Sequence, residues 1–110
     1  MLSKYRKKGY RMATLRSQSI DRLFEVILQL ESVEECYRFF EDICTVHEVQ
    51  DMAQRLDTAV LLDEGVNYQT ISQQVGVSTA TISRVSKCLN YGSGGYRDAL
   101  DKMYREQEKK

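Results

Sequence analysis

The chain has 110 residues, with 16 lysines and arginines balancing 16 aspartates and glutamates and no proline. That length makes one domain, and a chain this short buries only about 65% of its unfolded surface as a monomer, so a partner subunit would help it. The longest apolar run, Ala59 to Leu62, is far too short for a membrane span or a signal-peptide core. Cys36, Cys44 and Cys88, with His47 as the one histidine, form neither a standard zinc cluster nor a disulfide framework.

Free buried thiols are therefore expected, as in a reducing cytoplasm, with no metal and no membrane partner. The balanced net charge hides an uneven distribution. Residues 1 to 16 carry six basic groups (Lys4, Arg6, Lys7, Lys8, Arg11, Arg16) and no acid, and residues 17 to 64 carry twelve acids against Arg22, Arg38 and Arg55. From Gly65 to Arg97 there is no acid, while Arg84, Lys87 and Arg97 are positive. The middle of the chain would repel a polyanion and both flanks would accept one.

Residues 1–14 read as a basic, flexible arm that could order on nucleic acid. Met12 offers a second start, which would make residues 1 to 11 an upstream extension. Strand-like alternation is absent, and helix formers lie between short polar breaks, so residues 15–110 read as an all-helical domain of six helices. The first runs from about Leu15 to Leu30. Its apolar residues include Ile20, Leu23, Phe24, Val26, Ile27, Leu28 and Leu30, a stripe wider than one neighbour covers. Ser32 to Glu35 is a capping box that starts the second helix, with Val33, Cys36, Tyr37, Phe40 and Ile43 as its buried face and Phe39 beside it. Thr45 to Glu48 is another capping box. The third helix that it opens should bury Val49, Met52, Ala53, Leu56, Ala59 and Val60 and end before Gly65.

The stretch 68–89, YQTISQQVGVSTATISRVSKCL, reads as helix, tight turn, helix. Ile71 and Val75 make the apolar side of the fourth helix. Gly76 stands where the chain must turn, and Val77 plugs the angle between the helices. Ser78 can cap the fifth helix. Ile82, Val85 and Leu89 face inward by their spacing, so Thr79, Ala80, Thr81, Ser83 and Arg84 are left outside or at the edge. Short polar residues opening the second helix of such a pair describe a DNA-reading helix-turn-helix. A helical hairpin that touches only protein is the plainer alternative. The segment Tyr91 to Gly95 is a break, similar to a phosphate loop only in composition. Tyr96, Ala99, Leu100, Met103 and Tyr104 then mark a final amphipathic helix. The three leading helices carry more apolar surface than the helix-turn-helix can cover. Two chains that interlock, each burying the other's first helix, would account for it.

With these residues in place the chain resembles the Trp repressor family, and within it the TrpR-related proteins of the YerC/YecD type. The resemblance covers about residues 15 to 105 and is sharpest from Val75 to Leu89, where Ala80, Thr81, Ile82, Arg84, Ser86 and Leu89 match the family pattern. It implies an all-α, six-helix fold, an intertwined homodimer and a DNA-binding repressor. The family's effector pocket holds tryptophan between two arginines, with a threonine and a serine at its amino-acid end. Thr45, Arg55 and Arg84 match the threonine and the arginines. Val85 stands where the family has glycine, and Cys88 where it has serine. Valine puts two methyl groups in the path of the indole edge and cysteine hydrogen-bonds only weakly. The resemblance thus leaves room for a small-molecule effector but argues against tryptophan, and no cofactor is expected.

The DNA contacts carried over are Thr79, Ala80, Thr81 and Ser83 at the major groove, with Ser78, Arg84 and Lys87 beside them. Gln69 and Ser72 stand at two positions of the fourth helix where the family carries basic side chains. Their neutrality weakens the phosphate footprint unless the basic arm substitutes. No nucleophile lies beside a base, so an enzyme is not expected. The expectation is a homodimeric, sequence-specific regulator of transcription on double-stranded DNA, acting as a repressor. The alternative is a protein-interaction dimer that has lost specific DNA binding.

Overall fold

The computed structural model describes residues 16–109. Six α-helices and no strand occur among them: α1 (Gln18–Leu28), α2 (Val33–Ile43), α3 (Val46–Asp63), α4 (Tyr68–Val75), α5 (Thr79–Tyr91) and α6 (Gly95–Glu108). The expected arm at 1–14 and Leu15 lie outside the described residues. The chain divides within α3 into an amino-terminal unit ending at Val49 and a carboxy-terminal unit beginning at Gln50.

Side-chain caps mark where five of the six described helices start, and α6 begins after Gly94 without one. The first helix is shorter than periodicity suggests, because Ser17 caps it: the Ile20 N–H donates to Ser17 Oγ at 3.1 Å. At its other end the Gln29 and Leu30 N–H groups donate to Val26 and Ile27 carbonyls three residues back, a tightened last turn that stops the helix at Leu28. The Ser32 box forms with a variation. The Glu35 N–H donates to Ser32 Oγ at 3.1 Å, but the Glu35 carboxylate reaches back to the Glu31 N–H, one residue further out. The Thr45 box is reciprocal: the Thr45 N–H donates to Glu48 Oε1 at 2.8 Å and the Glu48 N–H to Thr45 Oγ1 at 3.1 Å. Those bonds, the backbone one foremost, hold the Glu48 carboxyl below its ordinary range. α3 ends in a Schellman turn, with Val66 N–H on the Leu61 carbonyl, Gly65 N–H on Leu62, and Gly65 at φ 83°.

In the amino-terminal unit, Phe39 and Phe40 stack edge to face with ring centres 5.4 Å apart. Yet neither α1 nor α2 contains a buried residue. Phe24 is 48% exposed, Leu28 83%, Val33 74% and Tyr37 63%. Val33, Tyr37 and Ile43, expected on a buried face, are exposed in one chain, and Phe24, expected to be covered by a second chain, is exposed as well. Periodicity identifies an apolar face, but it does not supply the surface that covers it.

The carboxy-terminal unit has a core. Ala59 of α3, Val85 of α5 and Leu100 of α6 form a buried cluster, with Val60, Leu62, Leu89, Tyr96, Met103 and Tyr104 packed on it. Ile71 and Ile82 are fully buried as well. Met52, Ala53 and Leu56, expected inside, are exposed. Thr58, not expected inside, is fully buried, and its hydroxyl satisfies itself on the Gln54 carbonyl at 2.8 Å. Ala99 of α6 is exposed, whereas its neighbour Leu100 is buried.

Candidate nucleic-acid interface

α4 packs on α5, and α5 packs in turn on α6. Each step of the turn between α4 and α5 has a visible cause. Asn67 caps α4, its Oδ1 accepting from the Thr70 N–H at 2.9 Å. Gly76 ends α4 with φ 85° and its N–H on the Ser72 carbonyl, a left-handed conformation that costs a residue with a Cβ about 1–2 kcal/mol. Ser78 then caps α5, its Oγ accepting from the Thr81 N–H at 3.1 Å. The Ser78 hydroxyl also donates to Thr81 Oγ1 at 3.1 Å.

One contact tightens this turn that the sequence does not signal. The Ser72 hydroxyl donates to the Val77 carbonyl at 2.7 Å, tying the body of α4 to the residue beyond Gly76. Ser72 is half-buried there, so its side chain serves the turn. Val77 is likewise half-buried.

The inward and outward faces of α5 separate as its spacing requires. Ile82 is fully buried and Val85 is 2% exposed. Ser78, Thr79, Ala80, Ser83, Arg84, Lys87 and Cys88 are exposed, and Thr81 is intermediate. Gln69 is exposed on α4. The outer face thus brings together five of the expected DNA-contacting positions as one polar strip on the first two turns of α5: Thr79, Ala80, Thr81, Ser83 and Arg84. Lys87 follows one turn on.

The positive charge of this segment is smaller than its formula suggests. Arg97 donates from both Nη atoms to the two Asp63 oxygens at 2.7 and 3.0 Å and from Nε to Asp101 at 3.1 Å. Tyr104 adds its hydroxyl to Asp63 at 3.2 Å. Arg97 is thereby committed to two carboxylates, and Arg84 and Lys87 are the cations of this segment left for a polyanion. No local pattern announces this, because Asp63 lies 34 residues away.

The residues expected around an effector are differently placed. Thr45 is the cap of α3, its hydroxyl occupied by the Glu48 N–H. Within the carboxy-terminal unit Arg55 is half-buried, Arg84 and Cys88 are exposed, and Val85 belongs to the core cluster. No group of three His, Cys, Asp or Glu among the described residues is arranged to hold a metal ion. No described helix is long and apolar enough to cross a membrane.

Known proteins share this arrangement. The family model for the Trp repressor protein matches residues 18–104. The chain is 54% identical over 89 residues to the uncharacterized protein YerC of Bacillus subtilis, covering 81% of this chain and 86% of that one. A crystal structure of a proposed Trp repressor from Staphylococcus aureus superposes with a TM-score of 0.82 at 48% identity, over 86% of this chain and 94% of the other. A TrpR-like protein from Eubacterium eligens gives 0.80 at 42% identity, over 82% and 93%.

Proposed function

The chain belongs to the Trp repressor family, and on that premise we propose that it is a transcriptional regulator, a repressor, that binds DNA as a homodimer through α4 and α5. The observation that carries this reading is the outer strip of α5. Thr79, Ala80, Ser83 and Arg84 are exposed on a helix whose other face is pinned by Ile82 and Val85. Such a helix can lie in the major groove with its first turns against base edges. Two subunits would present their strips to half-sites about one helical turn apart, ~34 Å. Hydroxyl side chains discriminate bases weakly alone, so water bridges and DNA shape would share the selection.

Support for the dimer comes from α1 and α2, which contain no fully buried residue within one chain and leave Phe24, Leu28, Val33 and Tyr37 exposed. A second copy presenting the same face would cover them, and apolar burial stabilises by about 25 cal/mol per Å². In this role the protein performs no covalent chemistry of its own.

The phosphate footprint is the weak point of the interface. Gln69 and Ser72 are neutral, and Arg97 is engaged by Asp63. Those features favour the second reading, a protein-interaction dimer without specific DNA binding. The basic residues 1–14 would restore the missing charge on DNA. Each neutralised phosphate contributes about −0.9 to the slope of log affinity against log salt. The test is a salt series of binding to genomic DNA fragments, for the full chain and for one lacking residues 1–14. The proposal expects a steep slope that becomes shallower without the arm. No binding by the full chain at low salt would leave the protein-interaction reading.

A further inference from the structure

One residue brackets the turn between α4 and α5. The Ser72 carbonyl accepts the Gly76 N–H at 2.9 Å, and the Ser72 hydroxyl donates to the Val77 carbonyl at 2.7 Å. The two bonds hold the chain on either side of the left-handed bend at Gly76. They differ in kind. The Gly76 bond is a helix end closing on its own backbone, and any residue at position 72 would accept it. The Val77 bond needs a side-chain hydroxyl, and among the hydrogen bonds of the described residues it is the one that crosses from α4 to the chain beyond Gly76. Val77 stands before the cap residue Ser78, whose carbonyl is the first acceptor inside α5. The Val77 carbonyl thus has no helical partner of its own. Both residues are half-buried, so losing the hydroxyl would leave that carbonyl poorly satisfied. A serine hydroxyl carries one proton, and Val77 takes it. The phosphates of DNA accept hydrogen bonds and do not donate them, so Ser72 in this arrangement has nothing to give a phosphate.

We propose that Ser72 is a positioning residue for DNA reading: its hydroxyl sets the angle at which α5 leaves the turn, so that Thr79, Ala80, Ser83 and Arg84 meet base edges in one orientation. It acts by seating the second helix beforehand and not by neutralising a phosphate. A helix already seated has less freedom to lose on binding. That gain falls on base-edge contacts, which depend on orientation, and not on the sequence-independent attraction of cations to phosphates. The role in reading DNA rests on the function proposed above. The seating of α5 is a property of the free protein and is measured without DNA.

The test compares wild type, Ser72→Ala and Ser72→Thr. Alanine favours a helix, so Ser72→Ala keeps α4, and circular dichroism verifies it. In the free proteins, amide hydrogen exchange is followed at Thr81, whose N–H is held by the Ser78 cap just beyond Val77, and at Leu100 in the core. Ser72→Ala should speed exchange at Thr81 by at least about tenfold more than at Leu100, and Ser72→Thr should restore it. Equal acceleration at both amides would reduce the bond to general stability and overturn the seating of α5, as would no change at Thr81. On DNA, a selected genomic fragment is compared with its shuffled sequence across a salt series. Ser72→Ala should bind the selected fragment at least about tenfold more weakly, with unchanged affinity for the shuffled one and an unchanged salt slope. Ser72→Thr should bind as wild type does. A slope shallower by about 0.9 for each lost phosphate would make Ser72 a phosphate contact and overturn positioning. Equal weakening on both fragments, or none on either, would overturn it too. Wild type that binds neither fragment ends the function proposed above and the reading role with it, while the exchange at Thr81 still decides whether Ser72 seats α5.

Discussion

Arg97 and Asp63 meet as a two-point ion pair, with Nη1 on Oδ1 at 2.7 Å and Nη2 on Oδ2 at 3.0 Å. This joins the last residue of α3 to the first turn of α6. Arginine's fixed fork suits a carboxylate in this way and lysine does not. The pairing therefore fastens the helix that carries Tyr96 and Leu100 to the helix that carries Ala59.

The pair should make stability depend on pH at the acid end. Hydrogen bonds from Arg97 hold the Asp63 carboxyl below its ordinary range; burial opposes them, and the Tyr104 hydroxyl adds to the lowering. A depressed carboxyl contributes stability that is fully present above the unfolded value, about 3.9. That contribution is lost as pH falls through the lower folded value. Asp63→Asn should lower the Tm at neutral pH, and its deficit relative to wild type should shrink below about pH 4. Thermal melts of both proteins from pH 7 to pH 2 measure this. A deficit that stayed constant to pH 2 would dissociate the pair from acid stability.

The turn between α4 and α5 should tolerate a side chain sterically but not conformationally. A Cβ built on Gly76 meets nothing within 4 Å, so the cost of Gly76→Ala is the left-handed backbone at φ 85°, about 1–2 kcal/mol. Asparagine enters that region more readily than valine, so Gly76→Asn should be milder than Gly76→Val. Gly92 is the opposite case, because an added Cβ there runs into the Cys88 carbonyl. Denaturant melts of the variants give the order, and equal effects of Asn and Val at position 76 would count against the backbone argument.

The strip on α5 permits a substitution that separates folding from DNA binding. Thr79 is exposed at the first position of α5. An acid in a helix's first turn is favourable to the helix, by about 0.3–1 kcal/mol. The same carboxylate would face phosphates and base edges in the groove. Thr79→Asp should therefore keep or raise the Tm while lowering DNA affinity by more than about tenfold. Unaltered affinity in a folded variant would remove α5 from the groove.

Assembly gives a fourth expectation. Phe24 is 48% exposed in one chain, and burying a phenylalanine contributes about 1.5–3 kcal/mol. Light scattering should return twice the chain mass, and Phe24→Asp should dissociate the protein and lower its stability, because an unpaired charge is buried only at high cost. A wild-type chain that remains monomeric and melts cooperatively would contradict the dimer.

How much of this was legible in the sequence depends on distance along the chain. The caps of Ser32, Thr45 and Ser78 lie within four residues of their partners, and they read directly as helix starts. Gly76 and the inward set Ile82 and Val85 were legible for the same reason. Asp63 with Arg97 was not, because nothing local marks an acid at the end of one helix for a base at the start of another. The resemblance puts Ser72 at a position where the family carries a basic side chain, and no local signal shows that its hydroxyl latches the turn through the Val77 carbonyl. Met52 and Leu56 read as core from the sequence. Periodicity places them on an apolar face, but one chain leaves that face uncovered. Tyr96 was legible as an apolar position of α6, whereas its packing on the cluster of Ala59, Val85 and Leu100 required three helices to be brought together.

The central claim, that paired copies of α5 read DNA, is tested most directly by selecting genomic fragments with the full chain and footprinting the bound ones. The account predicts protection over two half-sites centred about 10 base pairs apart, lost at high salt and absent with Thr79→Asp. Failure to retain any fragment above background at 50 mM salt, or protection over a single undivided site, would contradict it.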